Sequence, residues 1–175
     1  MKNKFLEIRA KIRNIKDFPI DGVDFKDITP VLEDSRLFKF LIDELVSRFK
    51  NKKITKVVGI ESRGFLLASV VAYALGAGMV IVRKRGKLPY KTLIREHDLE
   101  YGSGSLEINI DAIKKGERVI IIDDLLATGG TAGAAVALVE TLKGEVMGLG
   151  FLLELKKFKG RKKLKKYDIE SLIRL

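Results

Sequence analysis

The sequence predicts an α/β fold: an open, mostly parallel twisted sheet with helices on both faces and a small N-terminal hood segment. From residue 54 onward, short apolar runs rich in Val and Ile alternate with longer segments of helical character. The short runs lack polar alternation, which is typical of strands covered on both faces. At 175 residues and 46% hydrophobic content, the chain is expected to form one domain, residues 1–175, with a full core.

The N-terminal elements are inferred from helical spacing and turn residues. Residues 5–15 carry apolar side chains at helical spacing, and the following segment, up to Asp34, is interrupted by Pro and Gly like an elaborated loop. Asp34 or Ser35 can cap a helix that continues to about Phe49. The hood segment is therefore residues 1–34, a helix followed by a loop.

The elements of the sheet follow as strands and helices. Each strand is predicted from a short apolar run, and each helix from small or apolar residues over a longer stretch. The predicted order is strand 54–60, helix 64–75, strand 79–82, strand 118–122, helix 131–142 and strand 146–153. Such an order predicts parallel strands joined by helical crossovers.

A polar, basic stretch separates the second and third predicted strands. It covers residues 84–105 and is long for an ordinary connection in a compact domain. Long loops of this kind often close over a bound substrate. We therefore expect residues 84–105 to form a mobile catalytic lid loop. The single histidine, His97, is expected to be a solvent-exposed residue of this lid rather than a catalytic one.

Hydropathy and composition exclude several classes of protein. Residues 64–82 are uncharged over a length that could span a bilayer, but a Gly-containing turn at 75–78 divides them into helix, turn and strand. Without Cys, the chain cannot form disulfides or thiolate metal sites. The N-terminus lacks the apolar segment of a signal peptide. We expect no membrane association and a cytoplasmic location.

The net charge of +11 raises the alternative of a nucleic-acid partner, and the densest basic run covers residues 156–166. A solvated face or an anionic small substrate explains the same charge. No RNA-binding aromatic signature accompanies the basic run. We expect no nucleic-acid partner.

An acidic pair and a glycine turn follow the third predicted strand. Asp123 and Asp124 come directly after it, where ligands bind in open α/β sheets. Adjacent buried carboxylates repel each other, so ribose hydroxyls or Mg²⁺ would stabilise them. The turn at 128–131 offers backbone N–H groups and two hydroxyls at a helix start, a suitable cradle for a phosphate monoester. Thr131 can cap that helix.

A second polar cluster follows the first predicted strand. Glu61, Ser62 and Arg63 are expected at the same edge of the sheet as the acidic pair. Arg63 can hold a phosphate group through two parallel hydrogen bonds, although a helix start with a surface ion pair would show the same pattern. The basic run 83–87 after the second predicted strand adds further cations suited to phosphate.

Together these motifs resemble the type I phosphoribosyltransferases. Their signature is an apolar strand, two acidic residues, two apolar residues, one variable residue and Thr-Gly-x-Thr. The similarity extends in order through GIESRGF, RKRGKLP, LEYGSGSLEI and DDLLATGGT, with DFPIDGVDFKDITPVL before them and LLELKKFKGRKKL after. It covers nearly the whole chain and is greatest with the adenine-specific members of the family.

The resemblance implies a pentosyltransferase of purine salvage with the type I fold. The reaction would transfer the 5-phosphoribosyl group from 5-phosphoribosyl-1-pyrophosphate to adenine, giving AMP and pyrophosphate, with Mg²⁺ as cofactor. A homodimer is also implied, in which the basic run 83–87 can reach the partner's site. By the same resemblance, Glu61 and Ser62 are expected to be joined by a non-proline cis peptide.

The resemblance also assigns parts of the substrates to residues of this chain. The lid residues Glu100 and Tyr101 are expected to be catalytic, with Glu100 handling the proton at purine N7. Asp123 and Asp124 would contact the ribose hydroxyls directly, or through water and an Mg²⁺ held by pyrophosphate and ribose oxygens. The expected binding residues are Ala127, Thr128, Gly129, Gly130 and Thr131 for the 5′-phosphate, Arg63, Arg83 and Lys87 with Ser62 and Lys84 for pyrophosphate, and Val23, Phe25, Lys26, Leu126 and Leu155 for adenine.

The chain departs from the family pattern at two places. Lys26 stands where relatives often have Arg, and His97 with Asp98 replaces an expected Tyr-Ser in the lid. The choice of base is inferred from Ala127, because 6-oxopurine enzymes typically carry an Asp there. The alternatives are a phosphoribosyltransferase for a 6-oxopurine or a pyrimidine, and a non-catalytic regulator of the same fold that binds nucleic acid.

Overall fold

The computed structural model describes residues 2–98 and 102–175, which divide into two compact units, Met1–Glu44 and Leu45–Leu175. The helices of the described residues are α1 (Lys2–Lys11), α2 (Thr29–Leu32), α3 (Ser35–Phe49), α4 (Arg63–Leu75) and α5 (Gly130–Thr141). Their strands are β1 (Arg13–Ile15), β2 (Phe25–Asp27), β3 (Lys56–Ile60), β4 (Gly78–Lys84), β5 (Thr92–Asp98), β6 (Ser103–Asn109), β7 (Arg118–Leu126), β8 (Glu145–Glu154) and β9 (Ile169–Arg174). Among these residues no helix is long and apolar enough to cross a membrane.

The N-terminal unit holds α1, α2 and a two-stranded ribbon. Strands β1 and β2 pair antiparallel, with Ile15 opposite Phe25. The predicted helix after Asp34 is confirmed, because Oδ1 of Asp34 accepts the N–H groups of Arg36 and Leu37, both at 3.1 Å. The predicted continuation of the first helix to Ile15 is wrong, since the chain leaves α1 after Lys11 to form the ribbon.

The larger unit is built around a seven-stranded sheet of the order β5-β6-β4-β3-β7-β8-β9. The five strands β4, β3, β7, β8 and β9 are parallel to one another. Strands β5 and β6 form an antiparallel hairpin, and β6 is also antiparallel to β4. The prediction of a mostly parallel sheet is confirmed.

Two helices cover opposite faces of this sheet. Val58 belongs to one buried cluster with Ala135 and Val139 of α5. The neighbouring Gly59 faces α4, since a Cβ at Gly59 would lie 2.8 Å from Cβ of Ala68. Successive residues of a strand point to opposite faces, so α4 and α5 lie on opposite sides. The close approach of α4 requires a glycine at position 59.

The lid region differs from the predicted loop. Within residues 84–105, residues 92–98 form β5 and residues 103–105 begin β6, and the two strands pair from Thr92 opposite Asn109 to Asp98 opposite Ser103. Leu106 and Ile108 are buried, so one face of β6 contributes to the core and the ladder satisfies the backbone polar groups. Polar side chains on β5 conceal the strand pattern. The mobility of this region stays a prediction.

Candidate active site

The acidic pair lies within a central strand rather than after it. Strand β7 continues through both carboxylates to Leu126, with Asp123 opposite Phe151 of β8. The side chain of Asp124 is only 6% exposed. The predicted end of this strand at residue 122 is therefore wrong, because the pairing with β8 extends past the apolar run. The pair still lies toward the carboxyl end of β7, where the resemblance requires it.

Gly64 allows the first turn of α4 to approach the acidic pair. A Cβ at this position would lie 2.8 Å from Oδ1 of Asp123 and 2.9 Å from the carbonyl oxygen of Ile122. Any larger residue would displace either the helix or the strand. Gly64 stands in the quoted GIESRGF motif, but its neighbours in the chain do not reveal this role.

Burial dominates the electrostatics of the acidic pair. Burial raises the pKa of Asp123 well above its ordinary value, and the charge of Asp124 raises it further. Burial also raises the pKa of Asp124, with the Arg63 charge acting in the opposite direction. The backbone N–H of Asp124 donates to Oδ1 of Asp123 at 2.9 Å. A cation or hydroxyl donors placed beside the pair would lower both pKa values again.

The end of β3 and the start of α4 bring Arg63 to this pair. Nη2 of Arg63 lies 2.9 Å from Oδ2 of Asp124. This is a largely buried ion pair rather than the surface pair that the sequence left open. The peptide between Glu61 and Ser62 is cis, as the resemblance implied. The structure thus brings together the two predicted polar clusters at one edge of the sheet.

Arg83 fixes the conformation of the basic run 83–87 through its hydrogen bonds. Its Nη2 donates to Oε1 of Glu61 at 2.9 Å, and its Nη1 donates to the carbonyl oxygen of Lys87 at 2.9 Å. The hydrogen bond from Arg83 keeps the pKa of Glu61 below its ordinary value. The side chains of Lys84 and Lys87 are exposed. Arg83 therefore braces the loop, and its contact with pyrophosphate stays a prediction.

Glu107 is a buried acid that the sequence motifs did not reveal. It is 3% exposed, and its Oε1 accepts the backbone N–H groups of Lys87 and Leu88, both at 2.7 Å. Burial alone would raise its pKa, but the hydrogen bonds it accepts from the backbone of residues 86–88 and from Thr92 together outweigh burial and lower it. Glu107 thereby fixes the end of the basic run. Its signal was an acidic residue between the apolar Leu106 and Ile108.

The glycine turn connects β7 to α5, and we call residues 127–131 the phosphate loop. Gly129 precedes α5 with a φ of +79°, a conformation that glycine adopts without strain. Gly129 rather than the predicted Thr131 therefore occupies the capping position. The N–H of Gly130 donates to Oγ1 of Thr128 at 3.4 Å. The loop presents the first N–H groups of a 12-residue helix, an arrangement that binds anions.

His97 lies beside the phosphate loop, so the expectation of a solvent-exposed histidine is wrong. Its Nε2 is 3.4 Å from Oγ1 of Thr131, and its side chain is partly buried. The reason is the hairpin, because β5 packs along α5 and brings His97 to the start of that helix. A cavity of about 240 Å³ between β5 and α5 is lined there by Arg95, His97 and Lys163 among others.

The predicted adenine contacts fall in both units. Within the larger unit, Leu126 and Leu155 are adjacent and buried, and the N–H of Leu155 donates to the carbonyl oxygen of Leu126 at 2.9 Å. Within the N-terminal unit, the ring of Phe25 meets the ring of Phe18 edge to face at 5.2 Å. Lys26 follows Phe25 in β2 and hydrogen-bonds through its ammonium group to Asn14.

Val23 lies in the turn before β2, where its carbonyl oxygen accepts the N–H of Phe18 at 3.2 Å. The predicted catalytic residues Glu100 and Tyr101 lie outside the described residues. Their roles therefore stay predictions.

Comparison with known proteins gives consistent matches over this chain. A family model described as a phosphoribosyl transferase domain matches residues 31–173. The chain is 51% identical over 168 residues to the adenine phosphoribosyltransferase of Clostridium tetani (strain Massachusetts / E88), covering 96% of this chain and 98% of that protein.

Two crystal structures of similar proteins share the fold. The adenine phosphoribosyltransferase of Rhodothermus marinus DSM 4252 is 48% identical, with a TM-score of 0.96 and 100% coverage of both chains. The Saccharomyces cerevisiae enzyme of the same name, complexed with an imino-altritol bisphosphate and adenine, is 40% identical with a TM-score of 0.90. That similarity covers 98% of this chain and 99% of the yeast chain.

Proposed function

The chain belongs to the phosphoribosyltransferase family, and we infer that it transfers the 5-phosphoribosyl group of 5-phosphoribosyl-1-pyrophosphate to adenine, giving AMP and pyrophosphate in purine salvage. The observation that carries this conclusion is the continuous site from Asp123 to Thr131. It combines the half-buried Asp123 and the buried Asp124 with a glycine loop at a helix start, and Nη2 of Arg63 lies 2.9 Å from Oδ2 of Asp124.

The phosphate loop is proposed to bind the 5′-phosphate of the donor. The N–H groups of 128–131 point from the start of α5, where the helix dipole favours a negative charge. The hydroxyls of Thr128 and Thr131 and the backbone of Ala127 complete the proposed contacts. This assignment leaves Asp123 and Asp124, on the preceding strand, for the ribose hydroxyls.

Mg²⁺ is proposed as the cofactor, held chiefly by oxygens of the pyrophosphate and the ribose. The acidic pair fits such an ion, because carboxylates are the hard oxygen ligands that Mg²⁺ takes, directly or through water. The raised pKa values of Asp123 and Asp124 reflect the cost of two buried neighbouring charges, which a nearby cation would reduce. When bound, Mg²⁺ would neutralise charge on the departing pyrophosphate.

The basic residues are proposed to stabilise the same leaving group. Arg63 presents a planar guanidinium suited to two phosphate oxygens, and Lys87 and Lys84 add mobile point charges. Ser62 and Arg83 complete the proposed pyrophosphate site. Because Arg83 already braces Glu61 and the carbonyl oxygen of Lys87, its contribution would come largely through the shape of the loop.

The lid, residues 84–105, is proposed to exclude water from the anomeric carbon during transfer. An oxocarbenium-like centre would otherwise be captured by water. Within the lid, Glu100 is proposed to accept the N7 proton as the bond to N9 forms, with Tyr101 beside it. A carboxylate is a suitable base because purine N7–H becomes more acidic as the N9 bond forms.

By the same resemblance, the residues proposed to contact adenine are Val23, Phe25 and Lys26 of the hood segment, residues 1–34, and Leu126 and Leu155 of the larger unit. The 6-amino group needs a hydrogen-bond acceptor, and the backbone carbonyl groups of 23–26 can supply one. The Lys26 side chain is not required for such a contact. A 6-oxopurine would need a donor at the same place.

A homodimer is part of the proposal. The side chain of Tyr73 on α4 is 86% exposed, and Leu66, on the same helix face two turns earlier, is 50% exposed. Ile81 of the neighbouring β4 is 40% exposed. Exposed apolar side chains of this size are suited to burial against a second copy. In such a dimer the basic run could reach the partner's site.

A cytoplasmic location, inferred from the composition, completes the proposal.

The test is an assay of AMP formation with one component omitted at a time. We expect AMP and pyrophosphate in equal amounts only when adenine, 5-phosphoribosyl-1-pyrophosphate and Mg²⁺ are all present. Formation of AMP at the same rate after chelation of Mg²⁺ would contradict the cofactor assignment. No AMP from the complete mixture would contradict the function.

A further inference from the structure

Gly160 packs against the backbone of the phosphate loop at residues 127–129. It is buried, and a Cβ at this position would lie 2.1 Å from the carbonyl oxygen of Ala127 and 2.8 Å from the nitrogen of Gly129. The third nearest atom would be the carbonyl carbon of Thr128 at 3.0 Å. All three are backbone atoms, so no change of rotamer can relieve the overlap.

The contact is mutual. A Cβ at Gly129 would lie 2.8 Å from the carbonyl oxygen of Gly160. The two segments therefore pack backbone to backbone, without a side chain between them. A displacement of either segment must be transmitted to the other.

The turn that carries Gly160 is anchored by its neighbour Arg161. Nη2 of Arg161 donates to Oε2 of Glu154 at 2.7 Å, and Nη1 donates to the carbonyl oxygen of Ile169 at 2.8 Å. Glu154 is 4% exposed and also pairs with Arg174 at 3.2 Å. Burial would raise the pKa of Glu154, but the hydrogen bond from Arg161 contributes to lowering it. Arg161 is thus a structural member of the basic run 156–166.

We propose that Gly160 is a positioning residue, which holds the phosphate loop in the geometry that binds a 5′-phosphate. The turn cannot easily yield, because Arg161 ties it to strands β8 and β9. The loop must therefore move when a Cβ is added at position 160. This inference rests on the proposed function, since it assumes that the loop binds a phosphate monoester.

Gly160→Ala tests the proposal through binding rather than turnover. We expect the Kd of ribose 5-phosphate to rise about 10- to 100-fold, as for the loss of hydrogen bonds to a charged group. The Kd of pyrophosphate, measured with Mg²⁺ by the same titration calorimetry, should stay unchanged, because it binds elsewhere in the site. A merely structural role would not separate the two ligands.

Gly133→Ala is the matched control. Gly133 lies in α5 just beyond the loop, and a Cβ there would lie 3.9 Å from the nearest atom, Cδ2 of Leu164, which is ordinary contact. Gly133→Ala should bind both ligands like the wild-type protein. Should Gly160→Ala fail to fold, Arg161→Lys replaces it, since Lys keeps the charge but loses the paired hydrogen bonds. We expect it to weaken ribose 5-phosphate binding selectively and by less.

The outcomes separate this inference from the proposed function. If the wild-type protein does not bind ribose 5-phosphate, the proposed function is wrong and this inference falls with it. If the wild-type protein binds it and the Gly160→Ala protein, or Arg161→Lys in its place, binds it equally well, only this inference is wrong. Equal weakening of ribose 5-phosphate and pyrophosphate binding would also overturn it.

Discussion

Nη2 of Arg63 lies 2.9 Å from Oδ2 of Asp124, joining the first turn of α4 to the carboxyl end of β7. The backbone N–H of Asp124 in turn donates to Asp123, so one cation and two carboxylates form a connected group. A phosphate that attracts Arg63 would remove part of the charge that stabilises Asp124. Ligand binding and protonation of the pair are therefore coupled.

Asp123→Asn should become more stable relative to the wild-type protein as the pH rises. The pKa of Asp123 is raised in the native state from its ordinary 3.8, so the native protein binds the proton more tightly than the unfolded chain. Its contribution to stability is full below pH 3.8 and is lost as the pH rises through the native pKa. Urea unfolding of both proteins at a series of pH values from below 3.8 upward measures the difference between their free energies of unfolding. A variant whose relative stability falls with rising pH would contradict the assignment.

Replacing both Asp123 and Asp124 with Asn should lower kcat by about 10²-fold or more, because the groups proposed to contact the ribose hydroxyls are lost. The fold should persist, since the change removes repulsion between adjacent charges. Steady-state kinetics and circular dichroism measure the two effects. Asp43→Asn, at an exposed i,i+4 partner of Lys39, is the control and should leave kcat unchanged. Unchanged kinetics in the double variant would refute the role of the pair.

Glu100→Gln should lower kcat by about 10²–10⁴, roughly 3–5 kcal/mol, if Glu100 handles the N7 proton. The affinity for the phosphoribosyl donor should change little, because the donor does not carry that proton. Glu145→Gln, at an exposed glutamate at the start of β8, provides the control. A loss of less than a few-fold would mean that another group or solvent moves the proton.

Arg83→Met and Lys87→Met should affect different properties. Arg83→Met should lower the free energy of unfolding, by about 1–3 kcal/mol, because it removes the two hydrogen bonds that Arg83 donates to the partly buried Glu61. Lys87→Met should leave the free energy of unfolding unchanged, because the Lys87 side chain is exposed. It should raise the KM of the phosphoribosyl donor, because Lys87 is proposed to contact the pyrophosphate. Lys39→Met, at another exposed lysine, should change neither property. Equal loss of stability in the Arg83 and Lys87 variants would contradict the division of roles.

The central part of the site could be predicted because its signals are local. The apolar run before Asp123, the acidic pair and the glycine turn adjoin one another in the chain. The structure keeps them adjacent, because β7 leads through the turn directly into α5. The apolar run alone ends β7 too early, because strand pairing with β8 is a tertiary effect. The residue at the capping position could not be predicted, because the left-handed φ of Gly129 is decided by the turn.

The supporting residues could not be predicted, because their partners are distant in the chain. Glu107 accepts hydrogen bonds from Lys87 and Leu88, and Gly160 meets the backbone of Ala127. Neither contact has a sequence spacing that would reveal it. Strand β9 escapes prediction for a related reason, since a short mixed run such as Ile169–Arg174 is recognisable only by its pairing with β8.

The side chain at position 127 bears on the choice of base. A 6-oxopurine enzyme would be expected to carry an acid at this position, and here Ala127 offers only a methyl group. Ala127→Asp should therefore reduce activity with adenine without creating activity with hypoxanthine, because the donor for a 6-oxo group would still be missing. Steady-state rates with each base measure this. Efficient IMP formation by the variant would contradict the account of base choice.

The most direct test is competition between adenine and hypoxanthine for the wild-type protein at identical donor and Mg²⁺ concentrations. A site that offers an acceptor to the 6-amino group leaves buried groups unpaired with a 6-oxo group, so kcat/KM should favour adenine by up to about 10⁴. Guanine and orotate should react no better than hypoxanthine. Comparable kcat/KM values for adenine and hypoxanthine would contradict the account.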